Sequence, residues 1–410
     1  MTLSCRSPVV HEVAADYLTP AFFHDPYPTF ARLRECGGLV WSPAEDAWLV
    51  ARYHDAEEVL RDTSLSVRTK RVHNSPIGAA MVYQDPPEHT RLRGLIADLF
   101  TPAAVRSLEP HVAMHADRLL DAAVGRRRMD FVTDFALPFP VAVISELMGV
   151  PADSFGMMSE WSRALFFSGD AERVLAARRA MSEYLLAVIA DPRSLRAGSM
   201  LEALAEAHRR RVLSAEALLD MCYSIYFAGH ETMTSLLGNG LFTLLSHPGQ
   251  YARLVANPDL LPVAIEEMVR FESPLQRGLV RSATRPMTLG GRSIDAGDEF
   301  IVLIGAANRD PRVFPEAETF RIDRDPNPHI AFGGGPHFCL GARLARTEAR
   351  IGFERFLSRC ALVRPAGTAA PTTLERLRRR FTGRKPSETL SAAWRFRPMF
   401  RSLESLAIEW

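Results

Sequence analysis

Residues 332–341 read Phe-Gly-Gly-Gly-Pro-His-Phe-Cys-Leu-Gly and deliver a single cysteine, Cys339, to the start of a helix. The stretch that follows carries Ala345, Ala349, Gly352, Phe353 and Phe356 on one face at helical spacing. A cysteine just before a helix N-terminus meets unpaired N–H groups and the positive end of the helix dipole, which favour the thiolate. Gly333, Gly334, Gly335 and Gly341 permit tight turns and leave room for a flat, bulky partner near the backbone. Phe332 and Phe338 are placed to keep water from the sulfur. An amide-supported thiolate in a dry site is the axial ligand with which haem iron pushes electron density into an O–O bond.

Three further groups of residues have types and spacings that suit the same chemistry. Ala228-Gly229-His230-Glu231-Thr232 lies in a segment that is apolar on nearly every face. Gly229 in mid-helix costs about 0.8–1.0 kcal/mol against alanine, and its bare backbone would let a planar cofactor or O2 approach. Thr232 can turn its hydroxyl back to the Ala228 carbonyl, with Glu231 as a proton donor beside it; His230 reads as a surface or packing residue. Glu267 and Arg270, three apart, share a helix face and can pair. His89 and Arg93, four apart, share another.

The elements that must position these groups are legible in outline. Ser214 caps the long helix of Thr232, and residues 102–272 are overwhelmingly helical in pattern. Leu39–Trp41, Trp48–Tyr53 and Phe300–Ile304 read as strands, with Gly290-Gly291 as a hairpin turn. The expected class is mainly α (α+β): one domain over 1–410, with a β-rich part in 1–80, 275–305 and 361–410 and a helical body in 85–272 and 340–360.

The 410 residues are 47% hydrophobic and 24% charged, with a net charge of +1, so neither nucleic acid nor a membrane surface is called for. Glu216, Asp220, His230 and Glu231 interrupt the most apolar long segment, 215–245, which argues against a membrane span. Cys5, Cys36, Cys222, Cys339 and Cys360 form no CxxC pair, and no basic-then-apolar leader opens the chain. A reduced, cytoplasmic setting is expected.

The Phe-x-x-Gly-x-His-x-Cys-x-Gly window closely resembles the haem-ligand loop of the cytochrome P-450 family, and Ala-Gly-x-acid-Thr matches that family's oxygen-activating signature at every defined position. Met233 stands where the usual threonine follows the acid–alcohol pair. The resemblance covers almost the whole chain and implies that family's fold, a large helical body and a smaller β-rich part around haem b. It assigns Cys339 to the iron and Thr232 with Glu231 to proton delivery. His89, Arg93, Arg281 and His337 are implied to hold the haem propionates, with Ala228, Gly229, Phe332 and Gly341 also at the cofactor. Arg324 is implied to close the Glu267–Arg270 pair into a structural triad that holds the cysteine loop. Val82, Phe166, Phe227, Leu279 and Phe400 are the candidate substrate pocket, and Arg277 either holds a carboxylate or reaches solvent.

The implied activity is insertion of one atom of O2 into a mostly hydrophobic organic molecule, by hydroxylation or epoxidation, in secondary metabolism. A ferredoxin and its reductase would supply electrons, with Arg91, Arg343, Arg346 and Arg350 available to greet an acidic partner or simply solvated. Oxidative aryl coupling, a peroxide-driven peroxygenase and a non-catalytic haem or ligand sensor remain as alternatives. One departure from the family pattern is an extra basic stretch between Cys360 and Trp394, holding Arg376, Arg378, Arg379, Arg380, Arg384 and Lys385. It reads as a solvated loop or short helix, or else as a docking surface.

Overall fold

A computed structural model describes residues 16–72, 75, 77–191, 193–360, 363–366, 393–395, 397 and 399–410. The basic stretch between Cys360 and Trp394 lies outside the described residues, as does Cys5.

The longest element is the helix Ala215–Ser246, about 48 Å at 1.5 Å per residue. It starts where Ser214 accepts the Ala217 N–H at 3.1 Å, the side-chain cap that orphan N–H groups require. It is buried along most of its length. The helices Pro138–Met148, Leu261–Phe271 and Ala342–Arg359 pack against it, and Ala342–Arg359 also lies along Pro102–Val124. Close approach is paid in glycine: a Cβ on Gly352 would stand 2.9 Å from the Phe139 ring. Phe131, Phe135, Phe139 and Phe356 fill the same layer, with Phe131 and Phe356 centroids 4.8 Å apart.

The strands are β1 (Leu39–Ser42), β2 (Ala47–Val50), β3 (Leu65–Ser66), β4 (Arg128–Asp130), β5 (Arg281–Ala283), β6 (Met287–Leu289), β7 (Arg292–Ile294), β8 (Glu299–Val302), β9 (Arg364–Pro365) and β10 (Ala407–Glu409). The main sheet has the order β1-β2-β8-β5-β3, with β2 and β8 parallel and the other pairs antiparallel. Gly290 and Gly291, both at positive φ, turn the β6–β7 hairpin. Two apolar clusters line this sheet region, apart from the large helical core.

Two details depart from expectation. The stretch 102–272 is not continuously helical: β4 and a π-helical turn, Val132–Ala136, interrupt it. Strand β4 exists because Ile408 of β10 pairs with Met129 across the length of the chain, a partner that no local pattern reveals. The region 1–80 also holds the helices Pro20–His24, Tyr27–Glu35 and Tyr53–Arg61 beside its strands. Among the described residues, no helix is long and apolar enough to cross a membrane.

Candidate functional site

The cysteine loop is shaped by its backbone. Gly333 and Gly335 take φ of +74° and +61°, conformations that favour glycine. A Cβ on Gly335 would stand 2.8 Å from the Leu60 carbonyl oxygen. Gly334 and Gly341 do not need this freedom, since their φ values are −160° and −83°. The Cys339 N–H donates to the Phe332 carbonyl at 2.9 Å, closing the loop, and Ala342 begins the helix three residues later. Cys339 is exposed at the surface of the loop. The protein around it still pushes the thiol up by burial, while the Gly341 N–H and the Arg93 and Arg346 charges pull toward the thiolate. Phe338 is 43% exposed.

Four cationic or ionisable side chains gather beside this loop. His89 and Arg93 come from the helix Glu88–Gly94, Arg281 from β5 and His337 from the loop itself. The His89 and His337 rings are 4.2 Å apart. Burial, then Arg281, His89 and Arg93, push His337 down to about 3. Burial holds Arg281 down to about 10, partly offset by Asp85. Asp85 itself is taken up by the Ser66 hydroxyl and the Val67 N–H. The cluster is therefore rich in positive charge and donors, and short of carboxylate.

Behind the loop, Glu267, Arg270 and Arg324 form one buried group. Arg270 meets the carboxylate at 2.7 and 2.9 Å, and Arg324 Nε meets both oxygens at 3.1 and 3.0 Å. Arg270 and Arg324 also bind the carbonyls of Asn308, Pro315, Glu316, Ala317 and Thr319, which sews the meander onto the helix Leu261–Phe271. The neighbouring Glu266 makes a second clamp that sequence reasoning missed. It receives His329 at 3.0 Å and Arg346 at 2.7 and 2.8 Å, and the Arg346 guanidinium lies 4.3 Å over the Phe332 ring. Two adjacent glutamates in a helix with one apolar face were the available signal.

On the long helix, Thr232 donates to the Ala228 carbonyl at 2.7 Å. Gly229 has a different reason to be glycine from the one expected. A Cβ there would stand 2.5 Å from Ile144 Cδ1, so its bare backbone serves contact with the helix Pro138–Met148. Glu231 does not hydrogen-bond Thr232. It is fully buried and ion-paired to Arg397, with Arg395 at 3.6 Å and His230 at 3.8 Å. His230 is buried rather than superficial, its Nδ1 bonded to the Tyr226 carbonyl at 2.7 Å.

Of the pocket candidates, the structure brings Phe166, Phe227 and Phe400 together. Phe166 and Phe227 stack at 3.8 Å, and Phe400 meets Phe227 edge-on at 5.5 Å. Phe167 joins them, 5.2 Å from Phe227. Val82, like Phe166, packs against the helical core, and the Leu279 carbonyl accepts from Arg281. Arg277 neither awaits a carboxylate nor reaches solvent: it is buried against Glu45 and Tyr17. Arg91, Arg346 and Arg350 are likewise engaged, by Glu88, Glu266 and Glu109. Arg343 alone of that group is exposed with no ion-pair partner among the described residues.

The cytochrome P-450 family model matches residues 141–389, more than half of the chain. This chain belongs to the cytochrome P-450 family. It is 38% identical to the cytochrome P-450 monooxygenase PikC of Streptomyces venezuelae over 98% of this chain and 95% of that protein. Its structure is similar to CalO2, with a TM-score of 0.84 and 32% identity over 96% of this chain and 98% of that one. It is also similar to PksS, the bacillaene polyketide synthase cytochrome P-450 of Bacillus subtilis, with a TM-score of 0.83 and 32% identity over the same shares.

The P-450 cofactor is haem on a cysteine thiolate, and the cysteine here is Cys339. The residues fit it. An accessible thiol with an amide donor stands beside a donor cluster short of carboxylate, and haem brings both an iron and two carboxylates. The chain is a haem-thiolate monooxygenase that uses O2 and electrons from a redox partner. When bound, the haem supplies the oxygen-activating chemistry.

Proposed function

We propose that this P-450 hydroxylates or epoxidises a mostly hydrophobic secondary metabolite, with electrons from a ferredoxin and its reductase, in the cytoplasm. The stacked Phe166–Phe227 pair closed by Phe400 carries the reading: it is an aromatic wall whose Phe227 lies five residues before Thr232 on the same helix. The polyketide setting named for PksS makes polyketides the first compounds to try. Free, buried Cys36, Cys222 and Cys360 suit a reducing compartment.

In this reading Cys339 holds the haem iron, while His89, Arg93, Arg281 and His337 hold its carboxylates. Ala228, Gly229, Phe332 and Gly341 shape the surroundings. Thr232 positions a water with its hydroxyl, and Glu231 passes protons toward it once its ion pair with Arg397 opens. A panel of polyketides is titrated into the haem-loaded protein and read by the spin-state shift of the Soret band. Binders are then turned over with ferredoxin, reductase and O2. Product from that system, with Thr232→Ala diverting reducing equivalents to hydrogen peroxide, supports the proposal. Product only from added peroxide makes it a peroxygenase, and peroxide without product across the panel makes it a sensor.

A further inference from the structure

Between the helices Pro102–Val124, Pro138–Met148 and Phe155–Phe167 lies a cavity of about 780 Å³. That volume falls within the ~300–1,000 Å³ typical of small-molecule sites. Leu119, Leu137, Val141, Ala142 and Phe155 give it apolar walls. It is not the aromatic pocket, although Phe167 is common to both.

Its charged lining is one-sided. Half-buried Arg163 and, at the exposed rim, Arg118 and Arg173 line it without an ion-pair partner among the described residues, with the acid Glu160 also exposed. His115, only 5% exposed, also lines it, and its Nε2 has no hydrogen-bond partner. The Glu146 carboxylate stands 3.7 Å from that nitrogen and is already held by Arg196. Arg163 Nε is buried and unpartnered too. Arg397 completes the lining, its guanidinium 3.3 Å over Phe167 while it pairs with Glu231. Arg395 Nη1 makes no hydrogen bond but stands 3.6 Å from that same carboxylate. Burial, then Arg395 and Arg163, pull Arg397 down to about 10 against the Glu231 charge. At the cavity two buried nitrogens, His115 Nε2 and Arg163 Nε, lack a partner, and a buried donor is costly unless an acceptor joins it.

We infer that this cavity binds an apolar molecule bearing a single carboxylate, such as a fatty acid. The chain lies along Leu119, Val141 and Phe155, and the carboxylate meets His115 and Arg163. A site meant only for water would balance donors with acceptors, and a site for a bare inorganic anion would not need apolar walls. The occupant stands beside the Arg397–Glu231 pair and apart from the Phe166–Phe227 stack, so it is a second ligand rather than the substrate.

The test is calorimetric titration of the haem-loaded protein with dodecanoate, the Soret band being recorded at each addition. One equivalent should bind with no Soret change, at least tenfold more weakly in Arg163→Gln, while methyl dodecanoate gives no heat. Ala164→Trp, which fills the cavity from the Phe155–Phe167 helix, should abolish binding. Arg163 is on the cavity side of that helix, so Arg163→Gln decides the matter even if the tryptophan variant misfolds. Absence of binding, equal affinity in Arg163→Gln, or binding that tracks a Soret shift would overturn the assignment. Because binding alone is read, the outcome is independent of whether the proposed reaction is right.

Discussion

Glu267→Gln isolates the electrostatic part of the buried triad, since it keeps the shape of the side chain and removes one charge. In the protein that carboxylate receives Arg270 twice, Arg324 Nε, the Arg321 N–H at 2.9 Å and Asn327 at 3.3 Å. Glu267 and Arg270 are fully buried and Arg324 is 5% exposed, so water cannot replace what is lost. Glutamine would turn an NH2 group toward a guanidinium and leave two buried cations without an anion. Breaking a buried pair from one side costs about 3–5 kcal/mol, roughly two to three and a half orders of magnitude in the folding equilibrium. The comparison is Glu354→Gln, which removes the same charge from the half-exposed Arg350 pair and should cost ~0.3–0.5 kcal/mol. Urea unfolding followed by tryptophan fluorescence gives both values, with haem retention recorded in parallel. A Glu267→Gln loss no larger than that of Glu354→Gln would refute the view that the triad is held by charge.

Three other expectations follow from the geometry. Glu266 would be raised by burial, but His329 and Arg346 hold it down at about 2 against an ordinary 4.5. Its stabilisation is therefore complete above pH 4.5 and is lost as the pH falls toward 2; the stability gap between wild type and Glu266→Gln should shrink on acidification, and a constant gap contradicts it. Gly229→Ala should destabilise by about 1–3 kcal/mol through overpacking on Ile144, and Ile144→Ala in the same chain should recover part of that in thermal unfolding. Arg281→Gln should lose a charge-assisted contact worth ~1.5–3 kcal/mol to a haem carboxylate, seen as haem passing at least tenfold faster to apomyoglobin; an unchanged rate would remove Arg281 from the cradle.

The parts of the site that could be read in the sequence are those in which spacing is itself the chemistry. Cys339 among its glycines, Glu267 with Arg270, and Thr232 four residues after Ala228 all act within a turn or two of chain. Phe166, Phe227 and Phe400 were placed by resemblance to known relatives, since no local pattern joins rings that far apart. The partners of Glu231 were hidden for the same reason: Arg395 and Arg397 lie more than 160 residues away, on a tail that is weakly patterned. Gly229 shows a different failure. A missing side chain announces that something comes close but not what, and here it is Ile144. Strand β4 was missed because strand pairing is paid for by a partner elsewhere, whereas a helix is satisfied within itself.

Glu266 and Glu267 are adjacent on one helix, yet they reach different distant segments: one the two flanks of the cysteine loop, at His329 and Arg346, the other the meander, through Arg324. Phe314, Phe320, Ile322 and Ile330 of the meander are buried in cores shared with other elements, so both segments should open when that helix lets go. Amide exchange in residues 308–333 should then share a single opening free energy with Leu261–Phe271, so that the thiolate side of the molecule melts as one cooperative block.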